Sequence, residues 1–143
     1  MEFELLHPSR SLRTSDNDSS CVLLVSSSAG TALLAGDVEE AAESALVAGG
    51  LAHVTAVVVP HHGSRTSSTA PFVAASHPSL ALVSAGYRNR WGLPRPEIVE
   101  RWRAAGARLL TTADSGAIEI AFVAGHPPLA REYRRDQRRY WQR

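Results

Sequence analysis

The sequence contains no lysine, a single cysteine and no apolar stretch of bilayer-spanning length. All 15 cationic side chains are arginine, which reads as the codon bias of a GC-rich genome. With only Cys21 present, no intramolecular disulfide can form, and nothing points to an oxidising compartment. The most apolar stretch, Val54 to Pro60, is far too short to cross a membrane, and Met1-Glu2-Phe3-Glu4 has no basic start of the kind that opens a signal peptide. The chain as written is therefore expected to be soluble and untargeted. What is present fits one folded unit: 143 residues, 44% hydrophobic and 20% charged, enough for one domain with a core. A net charge of +1 selects no partner. The charge is uneven, however, because residues 131–143 carry six arginines against Glu132 and Asp136. That end reads either as a solvated terminus or as a helix with Leu129, Tyr133 and Tyr140 on one face and arginines facing phosphate or anionic lipid.

Residue patterning predicts strands over Phe3 to Leu6, Val22 to Val25 and Thr31 to Ala35, with a turn-rich segment of Asp16, Asn17 and Asp18 between the first two. An Ala-rich helix is expected from Val38 to Ala48, closed by Gly49-Gly50. Val54 to Val59 is β-branched without polar alternation, as in a strand buried on both faces. A helix starting near Pro71, a buried strand at Leu80 to Ser84 and a helix from Glu97 to Ala105 follow, with Glu97 and Arg101 spaced to pair. Arg108 to Thr111 and Ala117 to Val123 read as a strand pair around an Asp114-Ser115-Gly116 turn. Alternating strands and helices flanked by hairpins predict an α/β fold with a mixed sheet and covering helices, over residues 1–124, followed by an Arg-rich tail over 125–143.

Asp37 stands between a predicted strand and a predicted helix, where a short turn exposes its carboxylate at the sheet edge. With Glu40 three residues on, it fits a helix-capping role, and the same exposed position suits a carboxylate bridging two metal ions. His61 and His62 follow the buried strand directly and precede Gly63. Adjacent side chains at a strand end point to opposite sides, so one imidazole is expected to face a site and the other to make structural hydrogen bonds. Imidazole suits Zn, Mn or Fe, and a neighbouring carboxylate suits a two-metal hydrolytic centre. His7, His77 and His126 precede prolines and His53 precedes a strand, all structural or exposed positions. Ser64, Thr66, Ser67 and Ser68 can hold a phosphate or simply solvate a loop. No Gly-x-Ser-x-Gly elbow is present to support a serine nucleophile. Tyr87-Arg88-Asn89-Arg90-Trp91 reads either as a surface loop anchored by its aromatics or as a single-strand nucleic-acid site, with Arg88 and Arg90 on phosphates and Tyr87 or Trp91 stacked on a base.

Taken in order, Gly36-Asp37, Pro60-His61-His62-Gly63-Ser64-Arg65-Thr66-Ser67-Ser68, Tyr87-Arg88-Asn89-Arg90-Trp91 and Thr111-Thr112-Ala113-Asp114-Ser115-Gly116 resemble the C-terminal half of the metallo-β-lactamase-like domain of the ComEC family of bacterial competence proteins. The resemblance runs from about Glu4 to Phe122. It implies a partial αββα sandwich, two β-sheets packed between outer helices with a metal site at one edge. It also implies that Asp37 is a bridging ligand of two divalent ions, Zn or Mn, and that one of His61 and His62, with His62 favoured, is the late histidine ligand. Ser64, Arg65, Tyr87, Arg88 and Arg90 then become candidates for substrate contact. The implied activity is metal-dependent nuclease or phosphodiesterase chemistry on single-stranded DNA during DNA uptake, in a parent protein of the bacterial inner membrane.

Two departures shape the expectation for this chain. The His-x-His-x-Asp-His cluster that supplies most ligands in such hydrolases is absent, and Leu93-Pro94-Arg95-Pro96 stands where many members carry His-Pro-His-Pro. The chain is thus expected to hold two or three ligands of a divided site, to bind metal weakly or not at all by itself, and to need the complementary half-domain and membrane channel of its parent. An apolar sheet face left open by that division predicts self-association. The alternatives are a noncatalytic DNA-binding or docking module, or another hydrolase of the same fold acting on a small ester or lactam.

Overall fold

A computed structural model of the chain describes residues 1–8 and 16–137. It is an α/β structure. The strands β1 (Glu2–His7), β2 (Val22–Ser27), β3 (Gly30–Leu34), β4 (Ala56–Val58), β5 (Leu80–Val83) and β6 (Arg108–Thr111) form one mixed sheet in sequential order. The first three pair antiparallel and β3 to β6 pair parallel. The parallel strands are joined through α1 (Glu40–Ala48), α2 (Ala70–Ser76) and α3 (Pro96–Ala104). Each crossover steps one strand in the same direction, and the fixed hand of such connections puts all three helices on one face. The core lies there, with Ala42 and Leu46 of α1, Phe72 and Val73 of α2, and Ile98 and Trp102 of α3 packed on Leu33, Val57, Ala81 and Val83. Trp102 meets Phe72 edge-on, with ring centroids 6.2 Å apart.

Polar groups tie the helices to distant loops. The Asp18 carboxylate accepts the backbone N–H groups of Glu39 at 2.7 Å and Ala42 at 3.2 Å, and so caps α1 from the segment after β1. Glu43 of α1, fully buried, accepts the N–H groups of Ser68 at 2.5 Å and Thr69 at 2.7 Å ahead of α2. Arg101 donates to the Ser68 carbonyl and the Trp102 indole to the Ser68 hydroxyl, which joins α3 to the same junction. Arg101 therefore does not pair with Glu97 as its spacing suggests. Glu97 instead meets Arg65, and Arg101 is engaged by the Ser68 carbonyl.

The opposite sheet face is half covered. A second sheet of β7 (Ile118–Ala121) and β8 (Leu129–Glu132) lays Ile118, Ile120, Phe122 and Ala130 over Ala56, Leu80 and Leu110. The predicted pairing of residues 108–111 with 117–123 is not formed. One helical turn, α4 (Thr112–Ser115), redirects the chain, so β7 pairs with β8 instead of returning along β6. Residues 129–132 therefore form a strand rather than part of a helix with Tyr133. Glu132 is buried there, joined to Arg108, Arg135 and Ser115. A short helical turn, α5 (Tyr133–Asp136), follows, and Arg138, Arg139, Tyr140 and Arg143 lie outside the described residues.

By register, Phe3, Val25, Ala32, Ala56 and Leu80 form one row across this same face. Ala56 and Leu80 are covered by the second sheet, whereas Phe3 and Leu5 at the β1 end remain 63% and 60% exposed.

Candidate functional site

Parallel strands bring their carboxyl ends to one edge, the place where ligands bind in open α/β sheets. Here the loops after β3, β4, β5 and β6 deliver Asp37, His61 and His62, the segment 84–94, and Thr112 respectively. β1 runs parallel to β3, so the segment after it reaches the same edge, where the Ser20 hydroxyl accepts the Asp37 N–H at 3.3 Å. Because Asp18 caps α1, the Asp37 carboxylate is left for other contacts. The helix starts at Glu40 with no side-chain cap from Glu39, and the Asp37–Glu40 capping box suggested by spacing does not form.

His61 and His62 do not continue the strand. They occupy a tight 3-10 turn, Pro60–Gly63, with left-handed backbone at φ 47° and 55°. Each such non-glycine residue costs about 1–2 kcal/mol. The turn is held by His61 N–H to the Gly36 carbonyl at 3.0 Å, the Ser67 hydroxyl to the Pro60 carbonyl at 2.9 Å and Ser64 N–H to the His61 carbonyl at 2.9 Å. Gly63 closes it at φ +77°, where a Cβ would lie 2.6 Å from the Pro94 side chain. Strain over-determined by surrounding bonds is characteristic of functional sites.

The turn gives each imidazole its own carboxylate. His62 Nε2 lies 3.6 Å from Asp37 Oδ1, and the two side chains are 48% and 46% exposed. His62 Nδ1 is 2.8 Å from the Ser84 carbonyl, an atom that only accepts. A ring hydrogen therefore sits on Nδ1, and Nε2 is the nitrogen turned toward Asp37. His61 Nδ1 lies 3.0 Å from Glu39 Oε1, a pair only 25% and 23% exposed, and is hydrogen-bonded to the Thr66 hydroxyl at 3.2 Å. Glu39 Oε1 accepts from the Thr66 hydroxyl at 2.7 Å and from Asn17 at 3.3 Å. Both imidazoles make hydrogen bonds, His61 is the less exposed of the two, and a turn rather than strand alternation separates them. Glu39 was not singled out by sequence. Its signal was the Asp-x-Glu spacing, obscured by Glu40 beside it.

The open pair fits part of a metal ligand set. A carboxylate oxygen and an imidazole nitrogen 3.6 Å apart can be spanned by two bonds of about 2.0–2.2 Å to one ion. Among the described residues, no group of three His, Cys, Asp or Glu side chains is placed to hold an ion.

Beside His62 opens a cleft of about 370 Å³ lined by His62, Ser84, Gly86, Trp91, Leu93 and Thr112. Asn89 shapes its wall, donating to the Gly86 and Leu93 carbonyls and accepting the Leu93 N–H. The aromatics of this loop are exposed and carry arginines: Arg88 lies 5.2 Å from the Tyr87 ring centroid and Arg90 4.6 Å from that of Trp91. Arg134, from beyond β8, adds a second guanidinium 5.6 Å from Tyr87. The loop gathers Tyr87, Arg88 and Arg90 near the site, whereas Ser64 bonds the Thr66 hydroxyl and Arg65 is engaged with Glu97.

The fold and site define an α/β protein that presents carboxylate–imidazole pairs and a basic aromatic loop at one sheet edge. No protein-family model matches the chain. It is 37% identical over 145 aligned positions to Competence protein ComA of Neisseria gonorrhoeae, covering all of this chain and 21% of that protein. It is 32% identical over 122 positions to Recombination protein 2 of Haemophilus influenzae and 30% identical over 124 to ComE operon protein 3 of Bacillus subtilis. Each of these matches covers 85% of the chain, and they cover 15% and 16% of the relatives. These relatives are ComA/ComEC family competence proteins, and the chain spans about a fifth or less of their length.

Proposed function

We propose that the chain forms the C-terminal half of a metallo-β-lactamase-like αββα domain, a metal-dependent nuclease or phosphodiesterase acting on single-stranded DNA in competence-linked DNA uptake. The observation that carries this reading is the Asp37–His62 pair, with the ring oriented by the Ser84 contact at Nδ1 and Nε2 facing the carboxylate beside an aromatic cleft. Asp37 and His62 serve as ligands of divalent ions, Zn or Mn, while His61, held by Glu39 and Thr66, buttresses the turn. When bound, the ions would activate water and neutralise charge on the phosphodiester. The remaining ligands come from the other half-domain, which would cover the apolar sheet face. This half extends past residue 124 through β8, whose Ala130 packs on the sheet, and Arg134 beyond it adds to the basic edge at Tyr87. The whole protein would be placed in the bacterial inner membrane with this domain outside the bilayer; among the described residues no helix is long and apolar enough to cross a membrane.

The test is Mn²⁺ titration followed by electron paramagnetic resonance, with a single-strand cleavage assay on the same samples. Weak Mn²⁺ binding that is lost in Asp37→Ala and in His62→Ala, with no cleavage by this chain alone, is expected. Unchanged Mn²⁺ affinity in both variants would sink the ligand assignment. Turnover by the chain alone, abolished by Asp37→Ala, would show that its own residues suffice. The incomplete donor set and the exposed Tyr87–Trp91 loop favour a second reading, a noncatalytic single-strand DNA-binding module. Metal-independent, salt-sensitive binding would support it.

A further inference from the structure

The cleft beside His62 does not end at Asn89. A second cleft, of about 410 Å³, shares Gly86, Asn89 and Leu93 with it and continues to Arg88 and to Arg103 in the last turn of α3. Sequence separates these arginines by a loop and most of a helix, and nothing in the local pattern of α3 distinguishes Arg103 from a solvated position. The fold brings them to one groove. Both are exposed, and among the described residues neither forms an ion pair, in contrast to Arg65, Arg108 and Arg135. The one carboxylate lining this cleft, Asp114, accepts the Thr111 hydroxyl hydrogen at 2.9 Å. Asn89 fixes the shared wall by clamping Gly86 and Leu93, so the groove is a built feature of the loop.

We propose that Arg88 and Arg103 form a phosphodiester subsite. A single DNA strand lying in the cleft beside His62 runs over the shared wall and places a phosphate one or more nucleotides along against these two guanidinium groups. Arg103 is thereby a strand-positioning residue that sets how much DNA the site engages. The inference rests on the nucleic-acid reading and needs no bound metal. Guanidinium groups suit the contact because their donors form a fork that matches phosphate oxygens.

The experiment measures binding of an oligothymidylate of about 12 nucleotides, a length within the span of single-strand binding domains, to the full chain by fluorescence anisotropy over a range of salt. Removing one phosphate contact flattens the plot of log K against log salt by about 0.7 for a single strand. Arg88→Gln and Arg103→Gln are each expected to show that flattening and the double variant about twice it, while Arg131→Gln, across from Glu119 on β8, leaves the slope unchanged. Unchanged slope in Arg103→Gln, with binding retained, overturns the subsite and leaves the nucleic-acid reading standing. Equal flattening in Arg131→Gln shows general charge and also overturns it. No oligonucleotide binding by the parent chain at any salt overturns the reading and the subsite together. Circular dichroism confirms that each surface variant is folded.

Discussion

His62 acquires its role from an atom with no side-chain signature. The Ser84 carbonyl holds Nδ1–H and leaves Nε2 toward Asp37, so the candidate ligand depends on a backbone contact 22 residues away. Asp37 and the histidine step were legible because Gly-Asp and His-His-Gly stand at strand ends. Glu39 was hidden by the adjacent Glu40. Arg65 shows the same limit from the other side: it reads as a substrate contact, but the fold gives it Glu97. The Arg65 hydrogen bond is the largest cause holding the Glu97 carboxyl below its ordinary value of 4.5. A lowered folded value means that the pair's contribution is present above about pH 4.5 and fades as pH falls through the folded midpoint. In Arg65→Gln the Glu97 midpoint, followed by NMR titration, should move up toward 4.5. An unmoved midpoint would mean that the pair is not populated in solution.

At the scale of elements, α1 was legible from its Ala-rich run and Gly-Gly stop, but its cap was not. Asp18 reaches it from the segment after β1, a contact between residues 21 or more apart. Glu43 repeats the device in reverse by capping the start of α2. Glu43→Ala leaves two backbone donors at a buried junction, and chemical denaturation should show a loss of roughly 2–4 kcal/mol, summing weak-to-moderate charged hydrogen bonds. Burial is the largest influence on Glu43 and raises its carboxyl above 4.5. The folded state therefore holds that proton more tightly, and stability from this group falls as pH rises from about 4.5 through the raised midpoint. The deficit of Glu43→Ala relative to the parent should shrink across that window. A deficit below about 0.5 kcal/mol, the scale of ordinary surface substitutions, would contradict the capping role.

For the whole molecule, one-directional crossovers put all three helices on one face, and among the described residues the other face carries a two-stranded sheet over Ala56, Leu80 and Leu110 of β4–β6. Phe3 and Leu5 are exposed beyond it, continuous by register with the covered row. Contiguous apolar surface of this kind marks an interaction site. Sedimentation velocity should show concentration-dependent association of the 15.4 kDa chain, shifted to monomer in Phe3→Ser/Leu5→Ser. A monodisperse monomer for the unaltered chain would mean that the face is tolerated open.

Sequence alone determined the α/β class, the segments of the six-stranded sheet and the residues offered at the strand ends. Those features depend on local patterning: β-branched runs, glycine stops and polar residues at turns. Tertiary structure decided the rest. The left-handed Pro60–Gly63 turn assigned separate carboxylates to His61 and His62, α4 sent β7 to β8 instead of back to β6, and the packing of α3 beside the 84–94 loop joined Arg103 to Arg88. Each outcome depends on contacts between segments remote in sequence, whose geometry local propensity does not encode.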